Sequence, residues 1–157
     1  MPTDPDSSNE NNKDSDQDLN DMLQESRILL QGAQVLTAFL TILPFNQRFD
    51  RIDETEKWVY VATFIMSVAS LILFTAPAAQ HRLIRPLTRR VEFKDRATRL
   101  MIAGMALSSI ALVLTAQLVV SSVVSGPYSL MASGVIAILI GALWWIMPLR
   151  YKEKDRQ

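Results

Sequence analysis

Gln31, Gln34 and Thr41 stand inside an uncharged stretch, with Ala38 between them, at steps of three, four and three residues. That spacing puts all four on one face of a helix. A carboxamide donates and accepts hydrogen bonds, so the stripe suits two kinds of chemistry. It can form part of a cation or water path. It can instead bond to a neighbouring helix, with Ser67, Ser70 or Gln117 as partners, since a buried amide without a partner is costly. Arg48 lies between two aromatic residues in Pro44-Phe45-Asn46-Gln47-Arg48-Phe49. It can bind an anion or steer a gate, or it can be held at an interface by cation–π attraction.

His81 and Arg82 close the run Ala76-Pro77-Ala78-Ala79-Gln80-His81-Arg82. An imidazole there can pass a proton at a surface, or be a polar end residue with no acid to feed. Next come Arg82, Arg85, Arg89, Arg90, Lys94, Arg96 and Arg99, opposed only by Glu92 and Asp95. Such a segment attracts anionic lipid headgroups. It can also dock an acidic partner, including the chain's own acidic N-terminal segment. Asp50, Asp53, Glu54 and Glu56 form a small acidic group. It can concentrate cations, or it can cap the following helix and keep the loop solvated.

Composition removes other chemistries. With no Cys and one His among 157 residues, disulfides, thiol chemistry and His clusters are excluded. No nucleophile–base set is visible, so we expect no catalytic residue, metal, cofactor or enzymatic activity. No nucleic-acid partner is expected either.

The elements that position these residues follow from the charge distribution. Sixteen basic and sixteen acidic residues balance, but the 50 residues between Arg99 and Arg150 carry no charge. About 20 apolar residues suffice for one membrane crossing, so this run must turn back once. Ser121-Ser122 and Ser125-Gly126-Pro127 supply the turn. Two earlier uncharged stretches, after Arg27 and after Lys57, each fit one crossing. The reading is an all-α, integral membrane bundle of four transmembrane helices at about 28–45, 58–79, 100–124 and 129–149. Asp53 and Glu56 resemble a capping box before the second span. Residues 1–20, with six acids against Lys13, read as a disordered acidic tail. Residues 150–157 read as a basic C-terminal tail. Leu19–Arg27 has helical periodicity, either continuing span one or lying on the membrane surface.

Four crossings put both termini and the middle loop on one side, with thirteen Lys and Arg residues against three opposite. Positive residues mark the cytoplasmic face, so both termini are expected inside the cytoplasmic membrane. Trp58, Tyr60 and Tyr128 then fall at outer span ends, and Trp144, Trp145 and Tyr151 at the inner end, as interfacial belts do. Ser133, Ala137 and Gly141 form one small-residue stripe, and Gly104, Ser108, Ala111 and Thr115 another. They are expected to close spans three and four together. None of the four spans contains Asp, Glu, Lys or Arg, whereas proton-coupled transporters typically place a titratable group at depth.

Gln34-Val35-Leu36, Ala38-Phe39-Leu40, the Pro44–Phe49 run and the Ala76–Arg82 run resemble an actinobacterial family of small four-span membrane proteins. The resemblance covers about residues 25–148. It implies a four-span fold. The family has no assigned function, and its members often carry a sodium:proton antiporter label. Two functions are therefore expected in turn. The first is a non-enzymatic structural or accessory membrane protein, bound to anionic lipid and forming a homo-oligomer or part of a larger membrane complex. The second is a small sodium/proton antiporter-like transporter, its path using Gln31, Gln34 and Thr41 with His81 at the inner exit.

Overall fold

The computed structural model describes residues 5–47, 49, 52–83, 90–123 and 127–154; side chains are described from 20 to 150, except 90–92 and 127. Helix α1 runs Pro5–Ile42 and tightens into a 3-10 turn at Leu43–Phe45. Helix α2 is Glu54–Leu83, α3 is Arg90–Ser121 and α4 is Pro127–Ile140. Six π-helical residues, Gly141–Ile146, join α4 to α5, Met147–Lys154. Four segments are long and apolar enough to cross a membrane: Asn20–Phe45, Glu54–Leu83, Phe93–Ser121 and Tyr128–Arg150. The protein is thus all-α and multi-pass. Its spans match those expected in number and order.

Helix ends differ from the sequence reading for local reasons. Residues 19–27 continue span one in the same helix. The backbone of the acidic segment from Pro5 is continuous with the same helix. The third span stops at Ser121, inside the expected turn, and α4 starts on Pro127. Near the other end, Pro148 lacks an N–H, and its ring crowds the carbonyl one turn back. The chain widens there, so that the Met147 N–H reaches the Ala142 carbonyl, five residues away.

Lipid offers no hydrophobic drive to bring apolar helices together, so small residues and hydroxyls make the contacts. The buried ridge of α2 is Tyr60, Thr63, Ser67, Ser70, Phe74 and Pro77, at alternating steps of three and four. Helix α2 as a whole packs more extensively on α3 than on α1. Gly104 of α3 allows the closest approach: a Cβ there would lie 2.8 Å from Phe74 Cε1 and 3.3 Å from Leu73 Cβ. Helix α1 runs antiparallel to α2. The Ser26 hydroxyl donates to the Phe74 carbonyl at 2.6 Å, Thr37 and Ser67 share a 2.7 Å hydroxyl bond, and the Tyr60 hydroxyl donates to the Leu40 carbonyl at 2.9 Å. The Ser26 bond goes to the carbonyl next to that of Leu73, the one that Pro77, having no N–H, leaves without its helical donor. Hydroxyls commonly supply such bonds near intramembrane proline.

Two packing expectations need correction. Tyr60 is not an interfacial residue: it is buried among Leu36, Leu40 and Ala111, with Phe49 packed edge-on against its ring at 5.0 Å. The small stripe of α3 does not close on α4. Gly104 faces α2, and Ala111 belongs to the α1–α2–α3 core. A small-residue stripe marks where a helix can approach closely but carries no address, and the long α2 ridge takes this one. The stripe of α4 does turn towards α3, where Ala137 and Gly141 line a cleft with Ser109 and Val113 and Ser133 meets Gln117. Gln117 donates to Ser129 Oγ at 3.3 Å and accepts from Ser133 Oγ at 2.6 Å. Among the described residues α1 and α4 do not touch, so the four-helix bundle is open.

Candidate functional site

The residues expected to form an ion path or interhelical bonds lie elsewhere than either reading placed them. Gln31, Gln34 and Thr41 are exposed on the outer side of α1, with Ala38 between them. The Thr41 hydroxyl donates to the Thr37 carbonyl at 2.8 Å within the same helix. Neither amide has a polar partner among the described residues, and neither meets Ser67, Ser70 or Gln117. Ser67 is taken by Thr37, Ser70 by the Ser67 carbonyl, and Gln117 by α4. The opposite face of α1, carrying Ser26, Ala33, Leu36 and Leu40, is the one buried.

The depth of the amides matters. Both amides fall in the uncharged part of α1 that begins after Arg27, Gln31 one turn in and Gln34 about two. At 1.5 Å rise per residue, Gln31 lies roughly 6 Å and Gln34 roughly 10 Å along the helix beyond Arg27. The stripe holds a small residue at its centre. A Cβ added at the neighbouring Gly32 would also meet nothing within 4 Å.

The expected basic site is only partly described. Arg48, Arg85 and Arg89 lie outside the described residues. Arg90 opens α3, with only its backbone place given. Lys94, Arg96 and Arg99 are exposed along the first turns of α3. His81 is half-buried at the end of α2, its ring centroid 6.1 Å from that of Phe93, while Arg82 beside it is exposed. The acidic group reduces to Asp53, Glu54 and Glu56 at the start of α2. There Glu54 pairs with Lys57 at 3.2 Å, consistent with a helix-start role.

Sequence reasoning missed Thr37, whose hydroxyl joins α1 to α2, and Arg27, which lines a cavity with His81 and Arg82. The three-and-four spacing of Thr63, Ser67 and Ser70 was the available signal for a polar α2 ridge. It left Thr37, rather than Gln34, as the residue of α1 to meet it.

A family model described as a family of unknown function (DUF6328) matches residues 8–148. No curated protein and no solved structure matches the chain.

Proposed function

The chain belongs to this family of unknown function, DUF6328, and from that premise we propose that it is a non-enzymatic structural membrane protein that works by assembling with a second copy of itself. One observation carries the proposal. Two carboxamides project from the uncharged part of α1 with no polar partner among the described residues. Such groups in hydrocarbon cost roughly 2–7 kcal/mol each without hydrogen bonds. The outward residues of α4, among them Leu130, Val135, Ile138 and Leu139, need no such partner, because lipid satisfies apolar side chains. The need for a partner is therefore specific to α1.

A second copy fits that need. A two-fold axis along the membrane normal brings each residue opposite its own image at the same depth. An amide is its own complement, one carbonyl accepting from the other's N–H. The steps of Gln31, Gln34, Ala38 and Thr41 match the a and d positions of a helix–helix seam. The charge distribution favours cytoplasmic termini in the cytoplasmic membrane. Exposed Lys94, Arg96 and Arg99 then face anionic headgroups, at about 1 kcal/mol per residue near the surface.

Sodium:proton antiport has less support. The stripe assigned to its path faces outward, and the inward hydroxyls of Thr37, Ser67 and Ser70 are engaged in structural bonds. The mass of the purified protein in lipid nanodiscs of controlled loading tests assembly. The expected species is a dimer that persists on dilution in lipid. A monomer at every protein-to-lipid ratio contradicts the proposal.

A further inference from the structure

A cavity of about 580 Å³ opens between α1 and α2 at the end where Arg82 and Leu83 lie. That volume is within the range of pockets that hold small ligands, about 300–1,000 Å³. Arg27, His81 and Arg82 line it, and Leu23, Leu30 and Phe74 supply apolar walls. Among the described residues no carboxylate lines it. Neither Arg27 nor Arg82 has an ion-pair partner among the described residues. Both hydroxyls in its wall are already engaged, Ser26 with the Phe74 carbonyl and Thr75 with the carbonyls of Leu71 and Ile72 in its own helix. His81 is held against Phe93.

The arrangement runs along the helices. Ser26 is level with Phe74, and Arg82 lies eight residues further along α2, roughly 12 Å at 1.5 Å per residue. Positive charge is therefore offered both at the mouth and about two turns deeper, with apolar surface between. A free anion would use the charge but not the walls. A neutral apolar molecule would leave two guanidinium groups uncompensated near hydrocarbon. An amphiphile with an anionic head uses both. Arginine suits such heads because its planar fork bonds two oxygens of a phosphate or carboxylate.

We propose that this cavity is a specific site for one anionic lipid, its headgroup held by Arg27 and Arg82 and its acyl chain lying along Leu23, Leu30 and Phe74. The site lies within a single chain and does not depend on a second copy. It also differs from the diffuse attraction of the basic face, because Arg96 and Arg99 do not line it.

The test is native mass spectrometry of the full chain titrated with phosphatidylglycerol, phosphatidylcholine or inorganic phosphate. One phosphatidylglycerol should be retained in preference to phosphatidylcholine, and millimolar phosphate should not displace it. The double variant R27Q/R82Q should weaken retention on the order of tenfold or more, while R96Q/R99Q should leave it nearly unchanged. Should R27Q/R82Q fail to fold, Ala78→Leu fills the cavity without touching a charge and should weaken binding likewise. Equal loss in R96Q/R99Q would show a diffuse field and overturn the proposal. Displacement by phosphate alone, or full retention in Ala78→Leu, would also overturn it.

Discussion

Gly104→Ala should lower the stability of the folded protein by about 1–3 kcal/mol, the usual cost of forcing an extra methyl into a filled contact. Helix propensity alone predicts the reverse, since Ala is favoured over Gly by about 1 kcal/mol in a helix. The sign is decided by space. The new methyl carbon would lie 2.8 and 3.0 Å from two carbons of the Phe74 ring. That ring is 2% exposed, so it cannot swing aside. Unfolding in mixed micelles, followed by helical circular dichroism, measures the loss. Phe74→Leu removes the obstructing ring atoms, so the two substitutions should couple in a double-mutant cycle. The cost of Gly104→Ala should fall sharply in the Phe74→Leu background. Equal costs in both backgrounds would mean that Gly104 does not pack on Phe74.

The second large effect is expected at the outward face of α1. Replacing Gln31 and Gln34 together with Leu should leave the fold of one chain within about 0.5 kcal/mol of the original, as exposed positions do. Self-association should weaken on the order of tenfold or more. Each interhelical bond in a membrane contributes about 0.6 kcal/mol on average and up to about 2, and each copy loses two amides. Energy transfer between donor- and acceptor-labelled copies in liposomes, read across protein-to-lipid ratios, measures both outcomes. A large loss of single-chain stability with unchanged association would place the amides inside the bundle. That would restore the inward reading of the stripe.

The spans were legible in the sequence because charge and apolarity are one-dimensional signals. The 50-residue uncharged run, its Ser-Gly-Pro turn and the acids before α2 each mark a boundary without reference to any neighbour. Facing was not legible. Two stripes of α1 have helical periodicity: Ser26, Ala33, Leu36 and Leu40 on one side, Gln31, Gln34 and Thr41 on the other. The rule that polar residues turn inward favours the second, yet the first is buried. The reason lies on α2. Its ridge of Thr63, Ser67 and Ser70 is satisfied by backbone carbonyls and by Thr37, so it has no use for an amide. Gly104 was misplaced for a related reason. Its smallness was visible, but the ring that needed the space is thirty residues away on α2. The cavity with Arg27, His81 and Arg82 was half visible, since His81 and Arg82 are adjacent in sequence. Arg27 joins them only through the antiparallel pairing of α1 with α2.

The most direct test of the central claim uses the absence of native cysteine. Ala38→Cys places one thiol at the centre of the outward α1 stripe, and Ile138→Cys places one on the exposed side of α4. A disulfide requires Cα atoms within about 7 Å of each other, so oxidation in native membranes reports close approach between copies. Ala38→Cys is expected to form a cross-linked dimer, and Ile138→Cys to remain monomeric under the same conditions. Cross-linking through Ile138→Cys alone, or through neither, would contradict assembly through α1.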